Sequence, residues 1–381
     1  MRKVYWRPQG ISESVLLLLA VISLVSLLTV EFFQAEARQP AYQAKMTASL
    51  LALEAFQTVK EERLRRDPDL VLEADPAESG LIGQLISPVT SNTGKLEAKQ
   101  TSINPNFAAV FVHLLYRAGV EEGDVVAMGP SGSFPALNIC AYAALKAMGA
   151  RPIIISSISA SQWGANDPEF LWIDMEKVLY ERGIFPFRSL AASIGGIEDK
   201  GLGMPLEGRR LISERIQESG VPLLKPKNYE DSIEKRMNLY REAAGELPIK
   251  CYISIGGGTV SVGTKVGKTL FHSGLNYRLP PGAVAIDSVM ARFSSEGLPV
   301  IHMVNIDRLA TEYGFPLQPT SVPSVGVGTV FVRRQYNPYL AGGSLALIFF
   351  ALYAFIRSEW GHLIIHSLPR RKAGGHIEPS I

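Results

Sequence analysis

The chain has 381 residues, a net charge of +2, 47% hydrophobic residues and two cysteines, Cys140 and Cys251. That length suffices for one large α/β domain or two modest ones, so burying a core is not limiting. The near-neutral charge argues against a nucleic-acid binder, and two cysteines exclude a disulfide-rich scaffold or a multi-cysteine metal site.

Residues 1–14 form a short basic tail carrying Arg2, Lys3 and Arg7, followed by an apolar segment at 15–34. Ser14 to Val30 is free of charge, which is about the minimum for crossing a bilayer, and the flanking basic residues keep the N-terminus in the cytoplasm. Ala35-Glu-Ala37 has the small-x-small pattern of a signal-peptidase site, so cleavage of the first segment is the competing reading. Either way the middle of the chain is translocated. Near the other end, Leu340 to Ile356 is again uncharged, with Arg357, Arg370, Arg371 and Lys372 after it, as expected of a stop-transfer helix at 339–357 and a cytoplasmic tail at 358–381.

Between them, 35–105 reads as a helix and a polar connection. Pro40 to Arg66 has helical spacing of Leu50, Leu53, Phe56 and Val59, and serves either as an exposed stalk or as a helix packed on the domain. Ile86 to Pro105 is polar and holds Lys95 and Lys99; a connection this long is either functional or mobile. The main domain spans 106–338. It opens with a helix over Asn106 to Ala118, a strand over Val125 to Met128, a buried helix over Ala136 to Ala147 and a strand over Arg151 to Ser156, which together make a parallel βαβ unit. A helix is expected over Glu169 to Arg182, then a glycine-interrupted stretch and two amphipathic helices, Leu206 to Ser219 and Tyr229 to Ala244. The segment at about 185–246 reads as an insertion. Strands over Lys250 to Ile255, Ala283 to Ile286 and Val300 to Val304, with a helix over Val289 to Ser295 capped by Asp287-Ser288, continue the alternation. The fold class is therefore α/β: a largely parallel sheet with helices on both faces, flanked by one N-terminal and one C-terminal transmembrane helix.

Glycine- and serine-rich loops at strand ends are the informative motifs, because exposed backbone N–H groups there favour anions. The candidate binding residues are Gly129, Ser131, Gly132, Ser133, Ser159, Ser161, Gly256, Gly257, Gly258 and Thr259, with Trp163 as a wall of any shared pocket. In a parallel sheet these loops leave the same edge, so one cavity is expected. Gly258 to Lys265 and Gly267-Lys-Thr269 fail the phosphate-loop spacing, and Gly129-x-x-Gly132 lacks the dinucleotide fingerprint, so no cofactor is expected. No His/Asp/Glu pair has metal-ligand spacing, so no metal is expected either.

Gly129-Pro-Ser131-Gly-Ser133 between a strand and a helix is similar to a nucleophile elbow, although Ser133 stands at its final glycine. Ser131 as nucleophile with His302 and Asp287 is one reading, anion binding without chemistry a second, and simple turn sterics a third. His113, on an apolar helix face, reads as a core histidine.

The strings Gly132-Ser-Phe-Pro-Ala-Leu-Asn138, Ser161-Gln-Trp-Gly-Ala-Asn166, Ile255-Gly-Gly-Gly258 and Pro299-Val-Ile-His302, with the two apolar ends, resemble the poly-γ-glutamate system protein family. The resemblance implies a bacterial cytoplasmic-membrane protein with its main domain extracytoplasmic. Its partners would be the lipid bilayer, other membrane components of a poly-γ-glutamate synthesis complex and the anionic polymer, with no nucleic acid. It implies an accessory role in synthesis or export; the alternative is an envelope hydrolase or transferase with Ser131 as nucleophile.

Overall fold

The computed structural model describes residues 13–68, 73–256 and 258–357. The two basic tails and Gly257 lie outside them. The chain divides into two compact units, 38–332 and the two ends together.

In the larger unit six strands form one sheet: β1 (Val125–Gly129), β2 (Arg151–Ser157), β3 (Ala191–Ser193), β4 (Ile249–Ile255), β5 (Gly274–Asn276) and β6 (Val300–Met303). Their order is β5-β6-β4-β1-β2-β3, parallel throughout except for β5, which runs antiparallel to β6 at the edge. From β1 the chain winds outward through β2 to β3, then returns to lay β4 on the other side of β1. The strand order thus reverses between β1 and β4. In open α/β sheets a crevice forms at such a point, outside the carboxyl ends of the strands.

Alternate residues of each strand serve opposite faces, and both faces are covered. Val126, Met128, Ile154, Ile253 and Ile301 join a core with the helices Tyr42–Arg66, Phe107–Arg117, Pro135–Ala147 and Trp172–Glu181. Val125, Ala127, Ile155, Tyr252 and Val300 join another with Tyr229–Ala244 and Val289–Ser295. Burial on both sides is why these strands are apolar runs with no polar alternation. Cys140 and Cys251 are both free and buried.

Three sequence expectations need correction. Of the two readings of Tyr42–Arg66, the packed helix holds and the exposed stalk does not: Ala48, Ala52, Ala55, Phe56 and Val59 are buried, and the small alanines let it lie close against Pro135–Ala147. Lys45 on this helix is buried as well, and its Nζ donates to the Val330 carbonyl at 2.9 Å. The segment expected as an insertion supplies edge strand β3. Finally, Ala283–Ala285 is a 3₁₀ turn and not a strand, since it follows Pro280-Pro281-Gly282 with Gly282 at φ 84°.

The smaller unit contains the helices Glu13–Phe32 and Pro338–Arg357, which pack on each other. Side chains are described from Leu16 in the first and up to Ala354 in the second. Among the described residues no helix is long and apolar enough to cross a membrane, so the expected spanning helices are not established by the fold.

Candidate functional site at the carboxyl edge of the sheet

The loops leaving β1, β2, β3 and β4 meet. Gly129 at the end of β1 is level with Ser254 of β4. Beyond β1, the Ser157 N–H donates to the Pro130 carbonyl and the Gly132 N–H to the Ser157 carbonyl, both at 2.9 Å. The Ser161 N–H donates to Ser133 Oγ at 3.0 Å, so the loops after β1 and β2 are knitted together. The β4 loop touches the same place: a Cβ on Gly256, which sits at φ 85°, would lie 2.2 Å from Ser131 Oγ. The β3 loop joins through Thr259 Oγ1, which donates to the Gly196 carbonyl at 3.1 Å and accepts from the Glu198 N–H at 3.0 Å. Gly195 lies against Ser159 in the same way. Of the candidate binding residues, those within the described chain therefore gather at one edge. Gly257 lies outside it.

The far wall is held by a buried ion pair. Asp199 receives Arg236 Nε at 2.6 Å, Ser232 Oγ at 2.7 Å and Ser193 Oγ at 2.9 Å, while Arg236 also donates to the Ile155 carbonyl and to Ser157 Oγ. Burial pushes the Asp199 carboxyl up, but the guanidinium and the hydroxyls outweigh it and leave it below the usual range. Glu198 and Asp199 are consecutive residues at positive φ, 57° and 56°. Each such residue costs about 1–3 kcal/mol and persists only where its surroundings fix it.

The near wall is the helix Leu96–Ser102, within the polar connection. Its Lys99 is 3% exposed. Lys99 Nζ donates to the Ser133 carbonyl, contacts Ser161 Oγ at 2.9 Å and lies 3.7 Å from the centroid of the Phe134 ring. Burial, with Lys268 nearby, lowers its pKa to about 7. Lys268 is itself lowered by burial and by Lys95. Lys95, Lys99 and Lys268 form no ion pair with a carboxylate among the described residues. Ser131 Oγ, Ser159 Oγ and Ser254 Oγ are buried here without a hydrogen-bond partner.

Compared with family models, curated proteins and solved structures, the chain finds no match.

The catalytic trio drawn from the sequence is not assembled. Asp287 is committed to Arg292, at 2.9 and 2.7 Å, and precedes Ser288, whose hydroxyl caps the next helix. Neither ring nitrogen of His302 reaches a side chain, and burial lowers its pKa to about 4. Ser131 Oγ has no base beside it, so a neutral, isolated hydroxyl replaces the expected activated one. His113 is partly desolvated and stays uncharged, with a pKa lowered to about 4.

Sequence reasoning missed Lys99 as a site residue, along with Asp199 and Arg236. No local motif marks them, because each acts across the sheet edge on residues more than 30 positions away. Two open clefts lie elsewhere. One of about 440 Å³ mixes Arg65, Arg66 and Arg215 with Glu62, Asp174 and Glu218; the other, about 570 Å³, includes Val125 and Arg151 at the amino ends of β1 and β2. Their paired charges and position fit surface texture better than a convergent site.

Proposed function

We propose that the protein is a membrane-anchored accessory component of poly-γ-glutamate synthesis or export, whose extracytoplasmic domain binds the anionic polymer or its precursor at the carboxyl edge of the sheet. The observation that carries the reading is the cluster of Lys95, Lys99 and Lys268 without a counter-carboxylate. Burial desolvates Lys268, which is costly for an ammonium group unless a counter-charge arrives, and a polymer of free carboxylates supplies one to it and to exposed Lys95. Hydroxyls of Ser131, Ser133 and Ser159 and the glycine backbones beside them supply short, adaptable hydrogen bonds to carboxylate oxygens.

Anchoring is read from the sequence of the ends, where Ser14 to Val30 and Leu340 to Ile356 are free of charge and basic residues stand on their outer flanks. Leu17, Leu24, Leu27, Phe349 and Phe350 face outward, and lipid is the surrounding that makes such side chains favourable. Flanking arginines and lysines orient both termini inward in the bacterial cytoplasmic membrane. There the chain works beside other membrane components of the synthesis complex.

The test is binding of a defined poly-γ-glutamate oligomer to the full chain in detergent. Lys95→Met with Lys268→Met should weaken affinity by at least tenfold and flatten its salt dependence. Equal binding by wild type and the double variant overturns the reading.

A further inference from the structure

Lys99 and Ser161 share an arrangement that anion binding alone does not require. Three groups surround Lys99 Nζ: the Ser133 carbonyl, the Phe134 ring face and the Ser161 hydroxyl at 2.9 Å. An uncharged amine has two hydrogens and one lone pair. The carbonyl and the ring accept the hydrogens, which leaves the lone pair for the hydroxyl hydrogen of Ser161. In the ammonium form Nζ would donate to Ser161 Oγ, and the hydroxyl hydrogen would have no acceptor among the described residues. The uncharged form therefore satisfies every polar hydrogen, in a setting where an unmade hydrogen bond is costly. The missing carboxylate points the same way, since an acid beside Nζ would hold it as ammonium. Burial lowers the pKa of Lys99 to about 7, near the operating pH of an effective general base.

We propose that Ser161 and Lys99 form a serine–lysine dyad that cleaves an amide bond in the bound carboxylate-rich polymer. Lysine replaces histidine as the base in serine acyl transfer on several unrelated folds. Ser161 Oγ attacks the amide carbonyl carbon while its proton passes to Lys99 Nζ. As the C–N bond breaks, that proton is delivered to the leaving nitrogen, which departs as an amine. Water then attacks the Ser161 ester carbonyl and gives a proton to Nζ, which passes it to Ser161 Oγ as the ester C–O bond breaks, releasing a carboxylic acid and restoring the hydroxyl and the uncharged amine. Ser131, to which a nucleophile elbow would assign this role, has no base in reach, whereas Ser161 has one. Ser161 is 6% exposed and Gly94 lies against it: a Cβ there would sit 3.2 Å from Ser161 Oγ. The substrate class rests on the anion-site reading; the dyad rests on the geometry of Lys99.

A fluorophosphonate probe applied to the full chain in detergent tests the dyad without the polymer. Wild type should be labelled at Ser161, read by peptide mass spectrometry, with a rate that rises with pH through an inflection near 7. Labelling should fall at least tenfold in Lys99→Met and in Lys99→Arg, and disappear in Ser161→Ala. Absence of label at Ser161 in wild type, or unchanged labelling in Lys99→Met, overturns the dyad. Should Lys99→Met fail to fold by near-ultraviolet circular dichroism, Ser161→Cys provides the second measurement. Its alkylation by iodoacetamide should show an inflection below the ordinary thiol value of about 8.5. An ordinary inflection overturns the dyad. Labelling of wild type needs no polymer and oligomer binding needs no label, so the two readings fail separately.

Discussion

Replacing Lys99 with methionine should change how the stability of the domain depends on pH. In the unfolded chain Lys99 titrates at its ordinary value of 10.5; in the folded chain it titrates at about 7. Between those values the unfolded state holds a proton that the folded state lacks, so this residue makes stability rise with pH. Below pH 7 the cost of charging the buried amine is fully present, about 4–5 kcal/mol from the displacement of its pKa. Methionine fills similar space and does not titrate. It also leaves the Ser133 carbonyl and Ser161 hydroxyl without their partner, at about 1–3 kcal/mol each, a cost that does not vary with pH. The stability difference, variant minus wild type, should therefore fall by roughly 1.4 kcal/mol per pH unit between pH 7.5 and 9.5. Guanidinium unfolding of the full chain in detergent micelles, followed by near-ultraviolet circular dichroism of buried Trp172, measures it. Parallel curves for the two proteins across that range would refute the reasoning, because they would mean that Lys99 titrates like an exposed lysine.

Arg236→Met strands the Asp199 carboxylate in the interior and should cost about 3–5 kcal/mol, read as a lowered denaturation midpoint, with Arg236→Met combined with Asp199→Asn recovering part of it. Gly256→Ala places a methyl group against Ser131 Oγ at positive φ and should destabilise by about 1–3 kcal/mol, and adding Ser131→Ala should relieve the clash but not the strain, as a double-mutant cycle would show. A cysteine placed at exposed Asn92 should react with a membrane-impermeant maleimide in intact cells, since Cys140 and Cys251 are buried and silent; protection at that site contradicts an extracytoplasmic domain.

Much of the alternation was legible because the pattern that signals an element is the pattern that buries it. Leu206–Ser219, Tyr229–Ala244 and Val289–Ser295 fall where the periodicity places them. What escaped were elements too short for periodicity to register: Ala191–Ser193, three residues inside a glycine-rich stretch, and the polar edge strand Gly274–Asn276. Ala283 to Ile286 had the composition of a strand, but the prolines and glycine before it set a turn. The loop residues at the sheet edge were legible from topology, since parallel strands send their loops to one side. Lys99 was not. It stood in a polar connection read as either functional or mobile, and only the placement of its helix across the edge buries it. Nor did the sequence distinguish Ser131, set in a familiar-looking turn, from Ser161, which has the amine beside it.

The bond from Lys45 to the Val330 carbonyl bears on how the domain is made. It joins positions 285 residues apart, near the two ends of the larger unit. A chain emerging from the ribosome presents Tyr42–Arg66 early, while the carbonyl that satisfies its buried amine comes among the last residues of the domain. Such long-range closure carries a large entropic cost before it is rewarded, and slows folding accordingly. A nascent chain cut short before Val330 would retain an unmatched amine in its interior, so maturation should be complete only after synthesis of the domain has ended. Ribosome-stalled chains of increasing length, probed by limited proteolysis, should become resistant in one step as the residues around Val330 are released.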